Sequence, residues 1–331
     1  MKKYLKITII STLIIIFFSS NLFFLYLLKD KKVEKEPIKP KIVLISHIKT
    51  NPYWIDIREG AERAANERGA VIEFVGPTTA STEEGLKLFE MATSAKVSGI
   101  ITYVQEAGKY KNKVNNAMGK GIPVVTIDSD EEDSNRIAYV GTDNILAGQA
   151  AGKEIIKQVG NNGNIAIVMG GKDVKNQKER VEGFRNYITS NSYLKIVDQD
   201  SSDALLLEAE IMTRKILNRN DKIDALFCTS ALDGIGAAKA VNDLNDKGKV
   251  KIICFDDLEE TLNNIKNGSV AATIVQKSDE MGYRAVNIIM DKIEGKSNIN
   301  SKSLTNVDVI NKTNIYTYKR GDDKFEDQKF E

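Results

Sequence analysis

The chain has 331 residues, enough for two domains, with 47 Lys and Arg against 46 Asp and Glu and a net charge of +1. That balance creates no field for nucleic acid or an anionic membrane surface, so a nucleic-acid-binding role is disfavoured. Two cysteines make no disulfide scaffold, and a single histidine, His47, leaves almost no material for a zinc cluster or a Ser–His–Asp or Cys–His pair.

From Ile7 to Leu28 no residue is charged, and Ile, Leu and Phe dominate. Such a run is long enough to cross a bilayer as a helix. A cleaved signal peptide usually has a shorter apolar region ending in small residues. Here the patch Ser19-Ser20-Asn21 is followed by a resumed apolar run, and no Cys that could carry a lipid precedes Cys228. The expectation is an uncleaved anchor at 7–28 behind a cytoplasmic stub at 1–6. Lysines flank the span on both sides, so charge does not decide its orientation. Residues 29–40 are charged and proline-bearing, as a solvated linker is.

Beyond the linker, strand-like runs at 42–46, 70–75, 99–104, 122–127, 164–169, 195–198, 223–228, 250–255 and 270–275 alternate with helical stretches. The latter read as 55–68, 82–95, 109–120, 144–159, 176–190, 204–219, 231–246 and 278–294. Strand followed by helix, repeated this regularly, predicts an α/β protein with parallel sheets covered on both faces. Two sheets suit the size better than one. A short strand at 137–140 leads to a domain crossing near 140–144, and a second crossing falls near 276–279. The tail holds two β-like runs, 306–310 and 314–318, before a charged end at 321–331. Cys228 and Cys254 each close an apolar run; buried thiols are the simpler reading, a bridge between neighbouring strands the other.

Ligands of open α/β sheets bind just beyond the carboxyl ends of the strands. Asn51, Asp128, Asp143-Asn144, Ser230, Asp256 and Gln276 all fall there. Each taken singly could merely cap the next helix. Recurring from both halves, they suggest a site rich in acceptors for hydroxyl groups. Tyr53 and Trp54 add aromatic faces, which suit the apolar C–H faces of a sugar ring. Phosphate loops are absent or weak: Gly234-Ile-Gly236 lacks a third glycine, and Gly170-Gly171-Lys172 lacks the upstream glycine and following Ser or Thr.

The whole pattern resembles the ribose/galactose type of periplasmic sugar-binding protein over about residues 41–320. The matching segments are Asn51-Pro52-Tyr53-Trp54, Gly121–Asp128, Tyr139–Asn144, Glu179–Phe184, Cys254-Phe255-Asp256 and Ala271–Gln276. The resemblance implies a two-lobed type I fold, three crossover strands and a sugar closed between lobes by a hinge motion. It implies an N-terminal lobe of 41–142 and 277–304 and a C-terminal lobe of 143–276 and 305–320. Carried over residue by residue, one lobe offers Asn51, Tyr53, Trp54 and Asp128; the other offers Lys178, Ser230 and Asp256, with Gln276 near the hinge.

Asp203 stands where ribose binders often place an aromatic residue. Ser129 replaces an Arg after the strand-end acid, Lys178 stands in the place of an Arg, and Ser230 replaces an Asn. An Arg fork is not interchangeable with Ser or Lys, so ribose itself is not implied. With its anchor and no lipidation site, the chain resembles tethered xylose-sensing binding proteins that dock on a histidine kinase. That implies a small neutral monosaccharide, a pentose with xylose first, bound by an extracytoplasmic domain. The partner is then a sensor kinase or, alternatively, an ABC permease; no cofactor, metal or catalytic residue is implied. A lac-repressor-like regulator would need a helix-turn-helix where the apolar span stands. A sugar-active enzyme could use Asp128 and Asp256 as its acids, but hydroxyl binding explains them more simply.

Overall fold

The computed structural model describes residues 1–29, 39–246 and 248–320. The linker read at 29–40 falls almost wholly outside them, as does the charged tail at 321–331. Two compact units divide the chain, 1–39 and 40–331. In the first, helix α1 (Lys2–Lys29) contains a stretch, Lys3–Phe24, that is long and apolar enough to cross a membrane. Several of its hydroxyl and amide side chains bond back to the helix, as Thr8 Oγ1 to the Tyr4 carbonyl at 2.9 Å and Asn21 Nδ2 to the Phe17 carbonyl at 2.8 Å. A helix in lipid needs its polar groups satisfied in this way.

The second unit holds two six-stranded sheets. The chain runs β1 (Lys41–Ile45), α2 (Pro52–Arg68), β2 (Val71–Val75), α3 (Thr82–Ser94), β3 (Gly99–Thr102), α4 (Lys111–Gly119), β4 (Val124–Ile127) and β5 (Ala138–Thr142). It then passes to the other sheet with α5 (Asn144–Val159), β6 (Asn162–Met169), α6 (Lys175–Asn191), β7 (Tyr193–Ser201), α7 (Leu206–Arg219) and β8 (Ala225–Cys228). That sheet continues with α8 (Ala231–Asp243), β9 (Lys251–Phe255), α9 (Glu259–Asn267) and β10 (Ala272–Val275). Helix α10 (Ser278–Ile293) and β11 (Lys302–Thr305) return to the first sheet, and β12 (Asp308–Asn311) ends on the second. The orders are β11-β5-β4-β3-β1-β2 and β12-β10-β9-β8-β6-β7, parallel throughout except for β12 against β10.

Central strands are buried and mostly apolar because helices cover both faces, whereas edge strands β2 and β7 largely alternate exposed and half-buried residues. Cys228 and Cys254 are free, buried thiols in the core of the second lobe.

The tail departs from its sequence reading. Its strands are Lys302–Thr305 and Asp308–Asn311, and residues 314–318 form a helical turn with Tyr318 N–H on the Asn314 carbonyl at 3.0 Å. Asn314 prevents a second ladder there: its Oδ1 accepts from the Asn311 N–H at 2.8 Å and its Nδ2 donates to the Val309 carbonyl at 2.9 Å. Asn side chains compete with strand pairing in this way. The Lys302–Thr305 strand was not visible because only one of its four residues is buried.

Among the described residues, three connections join the lobes, at 142–144, 275–278 and 305–308. They are cross-bonded: Thr142 Oγ1 donates to Gln276 Oε1 at 2.9 Å and Thr305 Oγ1 to the Gly141 carbonyl at 3.4 Å. Each lobe also contains a helix pair in contact through reciprocal glycines. A Cβ on Gly60 would lie 1.9 Å from the Asp279 carbonyl oxygen and one on Gly282 1.9 Å from that of Ile57, joining α2 to α10. In the second lobe, a Cβ on Gly148 would lie 2.1 Å from the Arg180 carbonyl and one on Gly183 2.1 Å from that of Ile145, joining α5 to α6. Backbone cannot yield as a flexible side chain can. Gly148→Ala is therefore expected to lower stability by about 1–3 kcal/mol, the usual range for overpacking, and to shift the backbone that carries Arg180. Thermal melting, with Gly119→Ala at an open position as control, checks this.

Candidate functional site

The carboxyl ends of β1, β3, β4, β6, β8 and β9 face one cavity between the lobes. The first lobe contributes an aromatic wall. Trp54 and Tyr103 meet edge to face with centroids 5.4 Å apart, Tyr53 meets Trp54 at 5.9 Å, and His47 lies 4.9 Å from Tyr103. Burial lowers the His47 pKa to about 4, so its ring is neutral at pH 7, and its Nε2 has no partner among the described residues.

Two acids close the strands in the same way. Asp128 follows β4 and Asp256 follows β9, both with left-handed φ, 65° and 64°. Each backbone N–H bonds to the neighbouring strand at 2.9 Å, to the Val140 and Ile274 carbonyls. Each backbone carbonyl accepts a hydroxyl, from Tyr139 at 3.1 Å and from Thr273 at 2.7 Å. A left-handed non-glycine residue is strained and persists only where its surroundings hold it. Neither acid caps a helix; both carboxyls are buried and line the cavity. Asp128 Oδ1 accepts from Tyr53 Oη at 2.7 Å, and Asp256 Oδ1 from Gln276 Nε2 at 2.9 Å. Burial raises both pKa values, Asp256 to about 7, against the opposing pull of the Arg180 guanidinium.

Arg180 is the one cationic side chain among the cavity's lining residues. It is 2% exposed. Its Nε donates to Asn144 Oδ1 at 2.9 Å, one terminal nitrogen to the Thr229 carbonyl at 2.8 Å and the other to Gln276 Oε1 at 2.7 Å. The guanidinium carbon sits 4.2 Å from the Phe255 ring centroid. A buried charge is tolerated only with its donors satisfied in this way.

Of the residues expected from sequence, Asn51, Tyr53, Trp54, Asp128, Ser230, Asp256 and Gln276 line this cavity. Asn51 and Ser230 combine both roles weighed for them, capping α2 and α8 while facing the cavity. Three others do not reach it. Lys178 is exposed, 3.8 Å from Asp173, because the buried face of α6 carries Gln177 and Arg180 at i, i+3 and turns Lys178 outward. Asp203 is exposed because successive left-handed residues, Asp203 and Ala204, rotate it out and leave Ala204 on the wall. Ser129, buried, turns with the strained Asp128 into a neighbouring interlobe cavity. Sequence reasoning missed His47, Tyr103, Gln177 and Arg180. The signal for Arg180 was present in Glu179-Arg180-Val181-Glu182-Gly183-Phe184, two residues past the position chosen.

Residues 42–297 match the periplasmic binding protein domain, and the chain belongs to that family of non-enzymatic binding proteins. Particular relatives sharpen this. The chain is 27% identical over 261 residues to the ribose import binding protein RbsB of Haemophilus influenzae, covering 78% of this chain and 87% of that one. It is 81% identical to the solved structure of XylFII, covering 83% of this chain and 100% of that one with a TM-score of 0.80. The solved XylFII–LytSN complex matches at 80% identity, covering 84% and 99%, again with a TM-score of 0.80.

The buried acids make stability pH-dependent. Asp256 ionises at its ordinary 3.8 in the unfolded chain but near 7 when folded, so between those values the folded chain holds the extra proton. Its contribution to stability falls as pH rises through that window and then levels. Asp233, buried beside Ser202 and raised to about 7, acts in the same direction. Unliganded Asp256→Asn should lose less melting temperature than the parent chain between about pH 4 and 7; identical slopes would contradict the assignment.

Proposed function

We propose that this chain is a membrane-tethered, extracytoplasmic monosaccharide-binding protein that closes on its sugar and presents the closed lobes to a sensor histidine kinase. The observation that carries the sugar reading is the division of one small cavity into an aromatic wall and a polar wall. The rings offer faces for sugar C–H groups, while Asp128, Asp256 and Asn51 offer acceptors for hydroxyl protons and Gln276 a remaining amide N–H. Arg180 donates from the same side. Its charge acts on both buried acids, which favours a neutral, hydroxyl-rich ligand, since an anion would meet two acids and a cation the guanidinium. A pentose, xylose first, is the sugar we propose. We assign ligand contact to Asn51, Tyr53, Trp54, Asp128, Arg180, Ser230, Asp256 and Gln276.

The anchor reading is supported by α1, whose Lys3–Phe24 stretch is long and apolar enough to span a bilayer. The kinase reading is supported by the 80% identical XylFII, which is solved in complex with LytSN. Closure brings both lobes into one face, and a partner that contacts the two lobes together gains affinity for the closed form only. Delivery to an ABC permease is the second reading, favoured by the ribose import relative.

Calorimetry and thermal shift on the full chain in detergent, with a panel of pentoses, hexoses and an acyclic polyol, test the sugar reading. One sugar should raise the melting temperature, with about 2.7 kcal/mol gained at 100-fold Kd. Arg180→Lys should weaken that sugar about tenfold or more, because an ammonium cannot hold three acceptors and a ring face together. No shift with any sugar would refute the reading. For the partner, extracellular kinase domain should be captured by the chain more tightly with the sugar than without it; sugar-independent capture, or sugar uptake lost on deletion, would favour transport.

A further inference from the structure

Asp128 belongs to the first lobe, yet one of its oxygens is held from the second. Asn176, in the first turn of α6, is 2% exposed. Its Nδ2 donates to Asp128 Oδ2 at 2.9 Å and to the Asp128 backbone carbonyl at 3.2 Å. The other carboxylate oxygen accepts Tyr53 Oη from the same lobe at 2.7 Å. Asn176 Oδ1 has no partner among the described residues, so the amide's hydrogen bonds there are both to one residue across the cleft. Asn176 is absent from the lining of the sugar cavity and instead lines the adjacent interlobe cavity with Ser129 and Glu179.

We propose that Asn176 is a positioning residue that couples ligand contact at Asp128 to closure of the lobes. This rests on the sugar reading above. Both Asn176 bonds run between lobes, so both are lost when the lobes separate. When closed, they fix Asp128 Oδ2 and the strained backbone at φ 65°, leaving the remaining acceptor capacity of the carboxylate toward the cavity. A sugar hydroxyl that orders the same carboxylate prepares it for Asn176, and Asn176 prepares it for the sugar. Such coupling is reciprocal by necessity. Because encounter occurs with the open form, the bond acts after encounter, on dissociation.

The test uses the full chain in detergent and the sugar that the panel selects. Asn176→Ala should weaken binding about tenfold, the size of one hydrogen bond to a charged group, chiefly through faster dissociation. Asn176→Asp sets two carboxylates face to face and should bind worse than Asn176→Ala at pH 7. Its affinity should recover as pH falls, because the shared proton restores an O–H donor to Asp128. The groups facing Asp128 are Tyr53, Tyr103, Tyr139, Arg180 and Asp256, with Asp130, Lys175 and Glu179 beyond Asn176. All are shared by both variants, so the difference between their pH profiles isolates the new pair. Parallel profiles, or wild-type dissociation in Asn176→Ala, would overturn the proposal. Spin-label distances between the lobes give an independent reading: unliganded Asn176→Ala should be more open than the parent chain. An unchanged distribution overturns the coupling even where a sugar binds, whereas a parent chain that binds no sugar removes the reading beneath it.

Discussion

A guanidinium taken out of water must have its charge and its donors answered at once, and the second lobe is arranged around doing this for Arg180. The penalty for burying such an ion unpaired is several kcal/mol. Its partners come from four places in the chain: Asn144 just past the first lobe crossing, Thr229 at the end of β8, the face of Phe255 at the end of β9, and Gln276 at the second crossing. Gln276 in turn holds Asp256 and accepts from Thr142. One side chain thereby ties two hinge strands to the strand ends that form the cavity floor. The close α5–α6 contact at Gly148 and Gly183 sets the depth at which it sits.

The two lobes repeat one plan and use it differently. In each, a strand ends on a left-handed acid whose backbone is pinned by the next strand and by a hydroxyl. The surroundings then diverge. The first lobe packs rings behind its acid, and the second packs amides and a guanidinium. Closing the lobes therefore sets the rings and acid of the first lobe opposite the amides and guanidinium of the second. The family's fold supplies the hinge; the side chains at the strand ends decide what is held there.

Much of the cavity was legible because the ligand end of a parallel sheet is readable from strand ends. Asp128 after Val124–Ile127 and Asp256 after Ile252–Phe255 could be placed by that rule alone. The helical contributors were harder. Along α6, a shift of two residues separates the exposed Lys178 from the buried Arg180, and only helix phase against the cleft distinguishes them. Tyr103 and His47 follow strands too, but an aromatic or a lone histidine at such a place is as readily core as wall. The last strand was shifted because Asn side chains set its end, and Lys302–Thr305 buries too little to read as a strand.

Local periodicity and punctuation determined the elements, the alternation that makes both sheets parallel, the apolar stretch at the N-terminus and the acids at two strand ends. These depend on residues close in sequence, where sterics and burial act directly on the chain. Only the tertiary structure decided that Asn176 of one lobe bonds Asp128 of the other, that Ser129 faces away from the sugar cavity, and that Arg180 gathers four distant partners. Those outcomes depend on how far two helices approach at a glycine and on how three connections set one lobe against the other. No local pattern encodes such distances, because each is fixed by contacts between segments far apart in the chain.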